Sequence, residues 1–439
     1  MTNQPTRIRT KAEEALASHF AALPADDPMR DIRADAFGAF MEKGLPHRRI
    51  EDWKYTDLRG LMRDAPAPAE PAKAPDARAA LDKADVFAAI DRARIVFVNG
   101  HFMPPLSDMA GLEGTVDFAS FGRFLADGGA ILDRMLDPAE ATVFALNSAF
   151  VRDGAVLRVR DQAVLARPLE IVHVFAGNEA GLQTLLHQVS VGAGAKATIL
   201  LTFAGPDGVP YHTNVVTELQ VGDGADLRLV TAQEEGDEAI HLSLLLPRLG
   251  GKVRFEPFAF NIGSRVTRNE IRMGLEGEHS DVSLRGATLG RRKQHLDTTL
   301  VVHHSAPHCG GHEYFKSAMD GEAQGVFQGK IVVQRGAQKT DSKMMSRALL
   351  LSDTAGFSNK PELEIFADDV VCGHGATCGR IDEQMLFFLR SRGIPKAEAE
   401  RMLVLAFLAE AIEMIGDEAI VSALEARTRR WLGLEAMAD

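Results

Sequence analysis

Cys372 and His374 stand two residues apart, shortly after the apolar run Leu363-Glu364-Ile365-Phe366-Ala367. In extended backbone such a pair points to one face, and thiolate and imidazole suit iron and zinc. Two ligands offer an edge to an ion or cluster, not a closed site. On spacing alone the pair also reads as a buried structural cysteine beside a hydrogen-bonded histidine. Cys378 joins the same face only if the strand runs on, and Gly373, Gly375 and Gly379 argue against that regularity. A second cluster, His303-His304-Ser305-Ala306-Pro307-His308-Cys309-Gly310-Gly311-His312, is rich in nitrogen and sulfur donors but meets no zinc-finger spacing. It is either a metal site or a set of solvated histidines.

Glu362, Glu364, Asp368 and Asp369 raise the possibility of an acid-base pair on a sugar-cleaving scaffold, although adjacent carboxylates at strand ends are commonly hydrated turns. No phosphate-binding loop, dinucleotide fingerprint or nucleophile elbow is found. Catalysis by this chain alone therefore has little support, and a metal-dependent or carbohydrate-active solenoid enzyme stands as the alternative.

The elements that must position these residues follow from composition and texture. The 439 residues are 46% hydrophobic and 25% charged, enough for a sizeable core. A formal net charge of -12 repels phosphate backbones and anionic lipid, which makes nucleic acid an unsuitable partner. No stretch approaches the roughly 18 apolar residues of a membrane span, and the first ten residues lack an apolar secretory core. A cytoplasmic location is expected. Three cysteines in so long a chain fit a reducing compartment and not a disulfide framework.

Residues 1–150 read as mainly helical, with helical runs over 10–43 and 118–150 and a Pro/Ala linker near 65–77. Over 151–380 the texture changes to short alternating stretches such as Val189-Ser190-Val191, Leu227-Arg228-Leu229 and Val282-Ser283-Leu284. Glycine-rich turns recur among them at a period of about 25 to 30 residues, including Gly192-Ala193-Gly194, Gly222-Asp223-Gly224 and Gly250-Gly251. That period predicts a β-solenoid, with an antiparallel β-sandwich as the competing architecture. Residues 381–439 read as helical again. Gly393 ends one helix, Pro395 opens the next, and Met402, Leu403, Val404, Leu405, Phe407, Leu408 and Ile412 leave that next helix little polar circumference. It must be buried against this chain's own body or against a second protein.

Three strings then carry a resemblance: Lys360-Pro361-Glu362-Leu363-Glu364-Ile365; Asp368-Asp369-Val370 with Cys372-Gly373-His374-Gly375-Ala376-Thr377; and Leu386-Phe387-Phe388-Leu389-Arg390-Ser391-Arg392-Gly393-Ile394. They closely resemble the SufB/SufD family of iron-sulfur cluster assembly scaffolds. Arg49-Ile50-Glu51-Asp52-Trp53-Lys54-Tyr55-Thr56, Gly325-Val326-Phe327-Gln328-Gly329-Lys330-Ile331 and Gln338-Lys339-Thr340-Asp341 agree with it. The SufD branch fits better, because SufB usually has a Glu-Ala stretch where His374 is here followed by Gly375-Ala376-Thr377.

The resemblance implies a right-handed parallel β-helix core with N-terminal and C-terminal helical domains, acting as a non-catalytic scaffold of the SUF system. It implies pairing with SufB through the β-helix cores, or a homodimer when the chain is isolated. It also implies binding of the ATPase SufC through the C-terminal helices, with Phe387, Phe388, Leu389, Arg390 and Arg392 at the contact. Iron or a transient iron-sulfur cluster would meet His374 as ligand or entry residue and Cys372 as its neighbour, with none held permanently by this chain alone. The sequence departs from the family pattern at Cys378, at Gly311-His312 and at Ser346-Arg347-Ala348.

Overall fold

A computed structural model describes residues 8–24, 27, 29–127, 135–138 and 140–434. Its centre is a β-solenoid. From Ala155 to Gly379, strands of 5 to 10 residues go alternately to two sheets, a ten-stranded and a nine-stranded one among the described residues. Neighbours within each sheet run parallel over this region. Asp226, Arg254, Asp281, Gly310, Asp341 and Val371 follow one another in register, so one coil takes about 30 residues and contributes one strand to each sheet. This parallel pairing excludes the antiparallel sandwich.

The glycine-turn repeat has a structural cause. Gly194, Gly224, Lys252, His279, His308 and Lys339 each sit two residues before a strand of the ten-stranded sheet, with φ between 56° and 68°. Each donates its backbone N–H to a turn carbonyl of the next coil: Asp223, Gly251, Glu278, Pro307, Gln338 and Asp369 respectively. The left-handed conformation turns the chain sharply and at the same time aims one donor along the stack. The stacked turns carry His279 and His308 ring to ring, 4.8 Å between centroids.

Side chains facing the lumen form one long apolar core, including Ile95, Leu157, Ile199, Leu227, Phe255, Val282, Leu284, Phe315, Phe327 and Met344. Helices cover parts of the outer faces, so there both sides of a sheet are buried. On the nine-stranded sheet, helices Lys11–Ala21, Arg30–Lys43 and Thr142–Phe150 bury Leu16, Phe40, Leu146 and Phe150 against Leu182, Ile240, Leu242 and Val266. The first of these is closed by a capping box between Thr10 and Glu13.

The solenoid begins earlier in the chain than its sequence texture suggests. Strand Ala93–Val98 pairs parallel with Leu169–Val174, and Val116–Ser120 adds an antiparallel strand beside Ala155–Val159. The region expected to be helical over 118–150 thus opens with the end of a strand and continues as helix Phe121–Ala126. Residues 128–134 and 139 lie outside the described residues, and helix Thr142–Phe150 follows. The Pro/Ala segment is extended where it meets the solenoid: the N–H of Ala69 donates to the Leu182 carbonyl, and the N–H of Leu182 to that of Ala67, both at 2.8 Å. Helix Ala74–Ala84 starts within the segment, with Pro75 in its first turn.

At the other end, helices Glu383–Arg390, Lys396–Ile412 and Glu418–Trp431 stand where the sequence places helices, and Gly393 takes φ 88° between the first two. The long helix Lys396–Ile412 finds its cover in this chain. Val404, Leu408, Ala411 and Ile412 bury against Phe258, Phe260, Ala287, Leu289 and Ala318 on the outer face of the ten-stranded sheet. No described helix is long and apolar enough to cross a membrane.

Candidate functional site

The last two strands, Gly356–Ile365 and Val371–Gly379, terminate the nine-stranded and the ten-stranded sheet respectively, and each has a strand neighbour on one side only. Among the described residues no further coil covers them. Buried positions give way here to half-buried and exposed ones. Pro361 in the middle of Gly356–Ile365 fits this placement, because a residue without an N–H is tolerated on an edge. Two long unpaired strand edges form a template for another chain.

Cys372 and His374 lie on Val371–Gly379, in register with Ser342 and Met344. Those columns run back through Gly311 and Glu313 to Val282 and Leu284 of the core. The two residues therefore belong to the lumen-facing side of the open coil. Because the strand runs unbroken to Gly379, Cys378 shares their side; the three glycines do not interrupt it. All three cysteines are free, and burial raises the thiol pKa of Cys372, with nearby Asp341 and Glu313 adding to the effect.

The turn that aims this strand is built by two of the recurring strings. The Gln338 side-chain carbonyl accepts the Asp369 N–H at 2.9 Å, Lys339 ion-pairs with Asp369, and Thr340 Oγ1 donates to Ala337 at 2.8 Å. Gly325 and Gly329 face Phe357 and Met344 so closely that a Cβ at either position would collide with those side chains. The Arg49 to Thr56 string works at a distance. Trp53 lies against the buried Arg268 guanidinium, whose nitrogens reach Asp297 at 2.6 Å, Glu270 at 3.1 Å and the Asp52 carbonyl at 2.9 Å. Thr56 closes the clasp on Asp297. Burial alone would raise the Glu270 carboxyl, but Arg268 and Arg272 overcome it and hold the group below its ordinary value.

Apolar side chains crowd the open end. Phe387 is 74% exposed, Val371 60% and Phe366 57%, with Ile365, Met385 and Phe388 also uncovered. Helix Glu383–Arg390 buries Leu386 and presents Phe387 and Phe388 to solvent, Leu389 being half-buried; the Arg392 guanidinium stacks 3.5 Å over Phe388.

The histidine cluster does not come together. Strand alternation turns His304 inward and His303 and His312 outward, while His308 is one of the left-handed turn residues. Among the described residues, no three His, Cys, Asp or Glu side chains are grouped so as to hold a metal ion. The proposed carboxylate pair is tied up as well: Glu362 pairs with Lys360 at 3.0 Å and Glu364 with Lys330 at 2.8 Å, which keeps Glu364 ionised. Sequence spacing did not single out Glu313. Its lumen position is visible only once the coil register is known.

Family comparison agrees with this architecture. Residues 174–407 match the model described as SUF system FeS cluster assembly, SufBD core domain, and residues 11–171 match the SufBD protein N-terminal region. An iron-sulfur cluster assembly protein SufD of Escherichia coli is 30% identical over 394 residues, covering 88% of this chain and 89% of its own length. A SufBD family protein of Synechocystis is 29% identical over 410 residues, covering 88% and 86%. The Bacillus subtilis SufD is 27% identical over 305 residues, covering 66% and 68%. A parallel solenoid with helical ends, an uncapped last coil carrying Cys372 and His374, and two matched domains that together span most of the sequence lead to one assignment: the chain belongs to the SufB/SufD family and has a role in SUF iron-sulfur cluster assembly.

Proposed function

We propose that this chain is a non-catalytic scaffold subunit that pairs with SufB through the open end of its solenoid, binds the ATPase SufC through its C-terminal helices, and presents His374, with Cys372 beside it, to incoming iron or a nascent cluster. One observation carries the reading. Cys372 and His374 are paired on the lumen side of an edge strand that, among the described residues, has no next coil and no group of three His, Cys, Asp or Glu side chains placed to hold a metal ion. Two donors on an unpaired edge are half of a site, and a partner strand docking there would satisfy the edge hydrogen bonds and supply the missing ligands together. The exposed Phe387 and Phe388, with Leu389, Arg390 and Arg392, give the rim helix an aromatic and cationic face suited to a protein partner. Iron and the cluster are cargo in this scheme, and ATP hydrolysis by SufC supplies the work of conformational change. Operation in the cytoplasm follows from the same reading.

The test is co-expression with SufB and SufC followed by anaerobic reconstitution. The three-protein complex should form with wild-type chain and with His374→Ala alike, while His374→Ala lowers iron and sulfide per complex. Failure of the wild-type chain to associate, or a wild-type cluster load in His374→Ala, would overturn the proposal.

A further inference from the structure

Inside the solenoid, one coil below the open end, three buried polar groups meet without satisfying one another. Both ring nitrogens of His304, both carboxylate oxygens of Glu313 and the hydroxyl of Ser342 lack a hydrogen-bond partner, and all three residues are buried. Their surroundings are apolar: Leu284, Val302, Phe315, Val333 and Met344 line the same stretch of lumen. Leaving such groups unpaired in an apolar interior is unfavourable, more so for a charge. Several other buried histidines and carboxylates have at least one partner. His173 meets His187 at 2.8 Å, His241 meets Glu235 at 2.6 Å, and Glu170 meets Arg92 at 2.5 Å.

The three groups converge on one point. A Cβ placed on Gly311 would lie 2.7 Å from Ser342 Oγ and 3.2 Å from both Glu313 Oε1 and His304 Nε2. Gly311 leaves that space open, and three orphaned donor atoms, from strands His295–His304, Gly310–Met319 and Asp341–Leu350, surround it. We propose that this space is a cation site, in which His304 Nε2, Glu313 and the Ser342 hydroxyl hold a divalent first-row transition metal one coil beneath Cys372.

The donor chemistry selects the ligand. A neutral imidazole offers a lone pair, and the buried His304 ring has both nitrogens without a hydrogen-bond partner. Neither oxygen of Glu313 has a hydrogen-bond partner and no basic side chain contacts it, so as a carboxylate it lacks a counter-charge. A water molecule would supply hydrogen bonds but no charge; a divalent cation supplies the charge and takes all three donors at once. Imidazole nitrogen with oxygen donors suits ferrous iron, cobalt, manganese or zinc. With only two ionisable ligands the site is open, its coordination completed by water, and the metal is exchangeable. Ser342 is the register partner of Cys372, and the Glu313 column continues to His374, so the site lies directly below the rim. It requires no partner chain and stands whether or not the rim residues ligate iron.

The probe is Co2+ added anaerobically to the isolated full chain carrying His374→Ala, Cys372→Ala and Cys378→Ala, so that rim binding is removed. One Co2+ per chain, read by equilibrium dialysis and by its visible absorption, is expected to remain. Adding Glu313→Gln, or Gly311→Ala to fill the space, should weaken it at least tenfold while circular dichroism stays unchanged. Crystals soaked in Co2+ locate the ion independently of any variant, with an anomalous peak expected between His304 and Glu313. Absence of Co2+ binding in the rim variant, or an anomalous peak elsewhere with none in this space, overturns the proposal and leaves a water pocket.

Discussion

The Arg268 guanidinium lies 3.9 Å from the centroid of the Trp53 ring and 2.6 Å from the Asp297 carboxylate, so one buried cation joins the N-terminal region to the middle of the nine-stranded sheet. Removing that cation leaves the buried Asp297 without its counter-charge and Glu270 with Arg272 alone. Arg268→Met should cost about 3–5 kcal/mol, read as a fall in the urea midpoint. Trp53→Ala should cost a comparable amount through lost packing. The double variant should lose less than the sum of the two, because both changes break the same clasp.

Stability should fall on mild acidification. Burial lowers His173 to about 4 and His212 to about 3, against an ordinary value of 6.5. Above pH 6.5 both are neutral in the folded and unfolded chain. Between pH 6.5 and about 4 only the unfolded chain takes up these protons, so stability drops with falling pH by up to about 1.4 kcal/mol per unit for each histidine. His173 stacks on Phe203 at 4.2 Å, so His173→Phe keeps the stack and removes one titration. Its unfolding free energy should be lower at pH 7, where His187 loses a partner, yet less steep between pH 6.5 and 4. An unchanged slope would show that His173 does not titrate between the two states.

The rim strands should matter for association and not for folding. Val371→Lys and Phe366→Asp alter exposed side chains, so the thermal midpoint of the isolated chain should stay within the range of ordinary surface changes, about ±0.5 kcal/mol. Binding to SufB, measured by titration calorimetry, should weaken at least tenfold. Equal affinity would move the docking surface elsewhere.

Phe387→Ala and Phe388→Ala should separate the two partners. Capture of SufC should be lost or reduced at least tenfold, while pairing with SufB persists. Arg392→Ala tests the stack over Phe388 and should give a smaller loss than Phe388→Ala.

Much of this was legible in the chain itself. Period-two alternation and the recurring glycine turns announced the coils, since a left-handed residue is needed once per coil and glycine fills it at Gly194 and Gly224. Lys252, His279, His308 and Lys339 hide the same turn, because inter-coil hydrogen bonding lets ordinary residues adopt it. That substitution is also why His308 resembled a ligand. Strand Ala93–Val98 was missed because its parallel partner, Leu169–Val174, lies far along the chain and no local period links them. The helix Lys396–Ile412 was plain, but its cover was not: which apolar surface accepts an apolar helix depends on the outer face of a sheet whose register must first be known. That Cys372 and His374 share one face follows from spacing, whereas that this face is the lumen, and that the orphaned Glu313 lies beneath them, follows only from stacking the coils.

The uncapped coil has a consequence for how the molecule opens. Each coil touches only its neighbours, and the long C-terminal helix braces the strands around Ala287 and Ala318 but not Val371–Gly379. Local unfolding should therefore proceed as unzipping from that end, with amide exchange fastest at Val371–Gly379 and slowing coil by coil toward Asp226–Glu234. A partner that adds a strand there would act as the next tooth of the zip, and its arrival would be recorded as slowed exchange several coils away from the contact.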